Sequence, residues 1–154
     1  MKKALILEGG ALRGIYTAGV LDAFLENGIE FDAVAGVSAG AIHGASFLSK
    51  QKGRSLYSCA DWCRSPRYMG FASLIFTGDF FNSKFCYEII PEKLYPFDHK
   101  TFNENPADLY VVCTDYKTGE PLYHLCETME YKHLKYLQLH HILQFHCQKL
   151  YLIN

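Results

Sequence analysis

The chain has no excess of basic residues. Its 15 Lys and Arg residues are matched by 16 Asp and Glu residues, so the formal net charge is -1 in 154 residues. This balance gives no electrostatic reason to expect binding to nucleic acid or to an anionic membrane. We therefore expect no nucleic-acid partner, and partners have to be inferred from individual sites.

The sequence also lacks an export signal and any apolar run long enough to cross a membrane. Lys2 and Lys3 precede the apolar residues 4–7, but Gly9 and Gly10 follow at once. A signal peptide needs an apolar stretch of about 7–15 residues. We predict a cytoplasmic protein without a transmembrane segment.

Regular cysteine spacing is absent too. The six cysteines are spaced irregularly, which favours free, mostly buried thiols over a disulfide framework. Cys59 and Cys63 have the separation of a metal half-site, but no second pair follows, and one face of a helix explains them better. We predict neither a metal site nor a cofactor. The cysteines are Cys59, Cys63, Cys86, Cys113, Cys126 and Cys147.

The composition, 49% hydrophobic and 20% charged, is typical of one globular domain with a sizeable core. Residues 4–7 and 31–37 are predicted as short buried strands, and residues 14–27 and 38–49 as the helices that follow them. Alternation of strand and helix predicts an α/β fold with a parallel sheet and right-handed crossovers.

The rest of the chain is less regular. We predict one helix around residues 56–62, a short helix capped by Asn82 or Ser83 that ends near Pro91, and a helix over residues 127–139. Residues 107–126 read as two strands around the turn at residues 118–121, hence a β-hairpin.

One serine lies at the junction of the second strand and its helix. Gly36-Val37-Ser38-Ala39-Gly40 fits G-x-S-x-G, the strained turn that exposes a nucleophilic serine. Glycine suits the angles of such a turn and allows strand and helix to approach. The free N–H groups at the helix start would stabilise an oxyanion beside Ser38. The alternative is a tight packing turn with a spectator serine.

A second glycine-rich stretch, "EGGALRG", follows the first strand. It fits neither the P-loop nor G-x-G-x-x-G, so a nucleotide site has weak support. Because the carboxyl ends of parallel strands share one crevice, Gly9 and Gly10 should lie near Ser38 and offer backbone N–H groups as an oxyanion hole. Arg13 could steer an anionic substrate or brace the loop.

Taken together, the two stretches resemble the motifs of the bacterial patatin-like phospholipases. "EGGALRG" is similar to the family's oxyanion motif, "GVSAG" to its G-x-S-x-G, and "VVCTDYKTGEPLYH" to its strand and hairpin. The resemblance covers roughly residues 1–136. It implies a three-layer α/β/α fold with a mainly parallel central sheet, and hydrolysis of a lipid or other acyl ester by a Ser-Asp dyad.

Carried over by position, the resemblance makes Ser38 the nucleophile and the backbone of Gly9, Gly10 and Ala11 the oxyanion hole. Ala11 stands where many members carry a third glycine, a mild change since alanine keeps its N–H. The supporting motif positions are Arg13, Gly14, Gly36 and Gly40.

The family's dyad aspartate, which lies in Asp-Gly-Gly or Asp-Gly-Ala, has no counterpart here. No Asp is followed by Gly in this sequence. We expect a patatin-like domain over residues 1–136 that is incomplete at its C-terminus, and an atypical tail over residues 137–154. Plausible codons for residues 138–144, read two bases out of frame, give Ala-Ser-Ser-Tyr-Pro, close to a family motif, so we hypothesise a frameshift near Leu137.

Without its base, Ser38 is a poor nucleophile, and the chain is expected to be weak or inactive. One alternative is an α/β-hydrolase with a Ser-His-Asp triad that uses His99 or His124. Another is a non-catalytic domain that binds an anion at the two glycine turns. His43, five residues after Ser38, is expected to be a packed or surface histidine, and the tail's His140, His141, His146 and Cys147 are not expected to bind metal.

Overall fold

The computed structural model describes residues 1–78, 80–115, 117–126 and 128. The helix predicted over residues 127–139, the predicted tail and its histidines lie outside the described residues. Within the described ranges, no helix combines the length and the apolar character that crossing a bilayer requires.

Four strands form one sheet in the order β1-β2-β3-β4. β1 (Ala4–Leu7), β2 (Ala33–Val37) and β3 (Asp108–Thr114) are parallel, and β4 (Pro121–Leu125) is antiparallel to β3. Leu7 pairs with Gly36 and Val37 with Val112, so the carboxyl ends of the parallel strands share one edge. The predicted parallel α/β sheet and hairpin are confirmed, although β2 begins two residues later than predicted.

In the described part of the chain, five α-helices connect the strands: α1 (Gly14–Glu26), α2 (Ala39–Leu48), α3 (Arg54–Ala60), α4 (Phe71–Thr77) and α5 (His99–Glu104). The predicted helices 14–27 and 38–49 correspond to α1 and α2, and the predicted helix around 56–62 starts two residues earlier, as α3. α4 and α5 were not predicted. α1 stops as expected, with Asn27 as C-cap and Gly28 at φ +63°.

The helix predicted to end near Pro91 is longer and of another type. Asn82 caps it, accepting a hydrogen bond from the Phe85 N–H at 3.0 Å, but a π-helix then runs from Phe85–Leu94 with Pro91 inside. Proline stops an α-helix because its ring clashes with the carbonyl four residues back. The wider turn of a π-helix changes that spacing. The predicted end near Pro91 is therefore wrong.

The core lies between the sheet and α2. Leu7, Val34, Leu109 and Val111 point to α2 from three adjacent strands and are almost completely buried. α2 approaches closely because it is built of small residues. A Cβ placed on Gly44 would lie 3.0 Å from the Val34 side chain and 3.3 Å from that of Leu7. α1 and α3 pack in turn on α2.

The opposite face of the sheet is open in the part of the chain that the structure describes. Ile6 on β1 is 73% exposed and Val37 on β2 is 41% exposed. The described residues thus supply the sheet and one helical layer of the three layers expected from the resemblance. The mainly parallel sheet with its crossover helices confirms the predicted α/β fold.

Candidate active site

Ser38 occupies a strained turn between β2 and α2. Its φ and ψ are +52° and -121°, and the Ala41 N–H donates to its carbonyl at 3.0 Å to start the helix. A positive φ in a non-glycine residue costs on the order of 1–3 kcal/mol and is common at functional sites. Its side chain is partly exposed. This is the backbone geometry that G-x-S-x-G predicts.

The two glycines that flank Ser38 are required sterically. A Cβ on Gly36 would lie 2.5 Å from the backbone N and Cα of Ala41, and a Cβ on Gly40 would lie 2.5 Å from the carbonyl oxygen of Leu7. Both distances are far below van der Waals contact, and backbone atoms cannot move aside as a flexible side chain can. The turn therefore packs directly on β1 and on its own helix.

The loop after β1 lies against this turn. A Cβ on Gly9 would be 3.3 Å from the Cβ of Ser38 and 3.2 Å from the Val37 side chain. The Arg13 N–H donates to the Gly10 carbonyl at 2.9 Å, which closes a 3₁₀ turn over Ala11–Arg13. The two glycine-rich stretches thus lie in contact at one edge of the sheet, and their catalytic roles stay predictions.

Ala11 departs from the usual glycine at a position where glycine has a conformational advantage. Its φ is +46°, in the left-handed region. An L-residue there costs roughly 1–2 kcal/mol. Alanine at position 11 keeps the N–H group that glycine would offer. It is less favourable than glycine for this backbone conformation.

Arg13 lies over Gly10. A Cβ on Gly10 would be 3.6 Å from the Arg13 Cβ and 3.9 Å from its Nε. The Arg13 side chain thus lies over the loop. Of the two roles considered for Arg13, steering of an anionic substrate and bracing of the loop, this position favours bracing.

His43 is buried on the side of α2 that faces α1 and α3. Its Nδ1 is hydrogen-bonded to the Ser55 hydroxyl, and it is 2% exposed. A Cβ on Gly14 would lie 2.4 Å from Nε2, so the imidazole sits where only glycine leaves room. Burial lowers the pKa of His43 from 6.5 to about 4. It is thus a packed histidine, as expected, and its close approach to α1 explains the glycine at position 14.

A mostly apolar cavity of about 80 Å³ begins beside the Ser38 turn. Ala11 and Ala39 line one end, and Ile42 and Ala45 continue along α2. The opposite wall comes from residues 54–97, where the sequence shows no motif, and its side chains belong to α3, the π-helix and the segments around them. That wall contains Arg54, Ser58, Cys59, Tyr68, Phe81, Cys86, Tyr87, Ile90, Pro91 and Phe97.

Arg54 is the cationic residue of that wall. Its Nη1 donates to the Ser46 hydroxyl at 2.7 Å, its Nε donates to the Tyr95 carbonyl at 3.1 Å, and the guanidinium lies 5.0 Å from the centre of the Phe97 ring. Burial lowers its pKa to about 10. These contacts tie α2, α3 and the end of the π-helix together around the cavity.

The cavity thiols are poor nucleophiles. Burial raises the pKa of Cys86 to about 12, and it also raises the pKa of Cys59. Both are therefore neutral thiols at physiological pH. Because the thiolate is the reactive form of cysteine, neither side chain is a good nucleophile. The five cysteines in the described part of the chain are free, but only Cys126 is fully buried, whereas mostly buried thiols were expected.

Four aspartates in the described ranges accept hydrogen bonds from backbone N–H groups other than those of the Ser38 turn. Asp22 accepts from the Gly53 N–H, Asp32 from the Lys3 N–H, Asp98 from the Thr101 N–H, and Asp115 from the N–H groups of Lys117 and Thr118. Hydrogen bonds from its own turn lower the pKa of Asp115, which weakens it as a base.

The two histidines of the triad alternative lie elsewhere. His124 on β4 pairs with Val111, and β3 separates it from β2, so about 10 Å of sheet lies between the two strands. His99 begins α5, which joins β3 at the end opposite to Ser38. Neither position supports a triad with Ser38.

Comparison with known proteins agrees with this architecture. A family model described as "Patatin-like phospholipase" matches residues 5–140. The "Uncharacterized protein YjjU" of Escherichia coli (strain K12) is 49% identical over 51 residues, which are 32% of this chain and 14% of that protein's length. The chain thus matches a small part of that relative. Because the family match spans most of the sequence, the chain belongs to the patatin-like phospholipase family.

Proposed function

We propose that the protein is a lipid acyl-ester hydrolase in which Ser38 is the nucleophile. The observation that carries the proposal is the strained Ser38 turn in contact with Gly9, directly before Ala39, which lines an apolar cavity. A hydroxyl at such a turn is held away from the backbone and toward a bound carbonyl.

In this proposal the Ser38 Oγ attacks the ester carbonyl, and its proton passes to solvent water, from which the departing alkoxide later takes a proton. The negative charge develops on the carbonyl oxygen, where the N–H groups of Gly9, Gly10 and Ala11 and the start of α2 would stabilise it. Each well-placed donor contributes about 3–4 kcal/mol to such a transition state. Collapse of the intermediate expels the alcohol and leaves an acyl-serine that water hydrolyses.

The cavity supports an acyl chain as the bound group. It runs along α2 from Ala39 to Ala45, about 9 Å at 1.5 Å per residue. Its walls are largely aliphatic and aromatic, so a chain that enters it exchanges water for apolar contact. A short acyl chain fits this length best.

The proton acceptor is the weak part of the machinery. The family's Asp-Gly motif is absent from the sequence, and the described aspartates that make hydrogen bonds do so with other groups. We therefore expect a formed but slow site, whose reaction with a strong electrophile is detectable although turnover is low.

A fluorophosphonate probe tests the assignment, with the labelled peptide identified by mass spectrometry. We expect slow labelling at Ser38 that Ser38→Ala abolishes. The matched control is Ser58→Ala, which removes a serine lining the same cavity and should leave labelling unchanged. Label on another serine, or no label on a folded chain that binds phosphate, would contradict the hydrolase assignment and favour the anion-binding alternative.

A further inference from the structure

The helix α4 has its polarity inverted. Ser73 is 5% exposed, whereas Phe71, Ile75 and Phe76 are 78%, 77% and 85% exposed. A surface helix normally buries its apolar face and turns its polar side chains to water. Leu74 and Phe80 extend this exposed surface. We call these five side chains, Phe71, Leu74, Ile75, Phe76 and Phe80, the apolar patch.

Ser73, the buried side chain of α4, is polar and hydrogen-bonded within the helix. The Thr77 hydroxyl donates to the Ser73 carbonyl at 2.8 Å, and the Ser73 and Thr77 hydroxyls lie 3.3 Å apart. These hydrogen bonds satisfy the polar side chains within α4, while its apolar side chains stay exposed. A contiguous exposed apolar surface can mark a binding surface.

The apolar patch continues into the cavity beside Ser38 through a row of aromatic rings. Phe71 and Phe80 have ring centres 6.1 Å apart, Phe80 and Phe81 5.6 Å, and Phe81 and Tyr68 5.9 Å. Phe81 and Tyr68 line the cavity. An apolar molecule could thus pass from the patch to the candidate site without leaving aromatic contact.

Local charge on this segment suits a membrane surface better than the net charge of the whole chain. Residues 64–84 contain Arg64, Arg67 and Lys84 against one acidic residue, Asp79. All three basic side chains are exposed. An exposed apolar segment with basic residues before and after it in the sequence is the pattern of segments that lie in the interface of a lipid bilayer.

We propose that the apolar patch inserts into a lipid bilayer surface and positions the cavity mouth against it. The proposal deepens the proposed function, since it names the physical form in which a lipid substrate is met, but its readout is binding and not hydrolysis. Insertion of the patch supplies the main attraction, and Arg64 and Arg67 add to it on anionic lipid.

Vesicle co-sedimentation of the full chain tests the proposal, with Ser38→Ala in every variant so that hydrolysis plays no part. Vesicles of phosphatidylcholine alone are compared with vesicles that also contain phosphatidylglycerol. We expect the double variant Ile75→Asp/Phe76→Asp to bind both kinds roughly tenfold more weakly or worse. Arg64→Gln/Arg67→Gln should lose about fivefold per charge on the anionic vesicles only.

The matched control is Leu122→Asp/Tyr123→Asp on β4, where the side chains are 51% and 65% exposed. It introduces the same charges at an exposed apolar pair away from α4 and should bind vesicles like the parent. Circular dichroism establishes that each variant is folded. A parent that does not bind vesicles, equal losses in both double variants, or a dimer that only the α4 variant dissociates would overturn the proposal. Labelling of Ser38, measured on the chain that retains this serine, is independent of all three outcomes.

Discussion

Ser38 and Ala11 both hold positive φ angles, +52° and +46°, although neither is glycine. Two such residues on facing turns store backbone strain at the same edge of the sheet, and strain persists only where the surrounding packing over-determines it. Gly36, Gly40 and Gly9 provide that packing through their close backbone contacts. At the scale of the residue, the glycines of the site allow its backbone segments to pack closely. Ser38 and Ala11 adopt the strained backbone conformations.

His43 gives the clearest residue-scale prediction. Its pKa in the folded protein is about 4 because the ring is buried, against 6.5 as the reference value. The unfolded chain binds the proton more readily, so stability falls as the pH falls from about 7 toward 4. Between pH 7 and pH 5 we expect His43 to account for a loss of about 2 kcal/mol in the free energy of unfolding.

Urea titrations at pH 5, 6 and 7 measure this slope. His43→Gln should flatten it, whereas His124→Gln, which removes an exposed histidine from β4, should keep the steep profile of the parent. An equally steep profile in His43→Gln would show that other groups cause the pH dependence.

The helix α2 positions the site because its small residues let it lie directly on the sheet. Its glycines do not all act in the same way: Gly40 touches the Leu7 carbonyl, whereas Gly44 meets the side chains of Val34 and Leu7. A backbone contact cannot relax, and a side-chain contact can. The register of α2 on β1 and β2, and with it the place of Ser38, is fixed at the first turn of the helix.

Alanine substitutions of glycine test this element. Gly36→Ala and Gly40→Ala should each destabilise the fold by about 3 kcal/mol or more, since a Cβ would lie 2.5 Å from backbone atoms. Gly19→Ala is the control: it lies in α1, where a Cβ meets nothing within 4 Å, and it should stabilise by about 0.5–1 kcal/mol. Thermal unfolding gives the comparison, and a tolerated Gly40→Ala would contradict the close contact.

The elements that the sequence did not predict share a cause. α4 exposes Phe71, Ile75 and Phe76, so its apolar residues do not point to the core as periodicity assumes. The π-helix contains Pro91, a residue that ends helices of the ordinary type. Both elements line or approach the cavity. Local rules failed there because the tertiary environment decides which face is buried and which turn is wide.

At the scale of the molecule, the described chain is a sheet with one helical layer and one open face. A complete hydrolase site needs a base, and no Asp-Gly motif occurs in the sequence. Loss of the base in serine-centred machinery lowers the rate by about 10⁴–10⁶. The strained turn and the apolar cavity then remain, with binding and the proposed oxyanion hole as their residual contribution.

We expect the 154-residue chain to hydrolyse p-nitrophenyl butyrate no more than a few-fold faster than its Ser38→Ala variant. The physical reason is that an unassisted serine hydroxyl is almost entirely protonated near neutral pH. Initial rates with matched protein concentrations provide the measurement. A rate that depends on Ser38 by a factor of about a thousand would mean that the chain contains a base outside the described aspartates.

The sequence by itself determined the strand-turn-helix units and the two glycine turns, because short-range sterics decide where glycine is needed and where an apolar run can be buried. It also determined that the family's acidic motif is absent. Only the tertiary structure decided the second wall of the cavity, the packing of His43 against Gly14 and the outward face of α4. Those features depend on which distant segments meet, and the contact of Arg54 with Phe97, or of Phe71 with Phe80, is not encoded in the spacing of either pair.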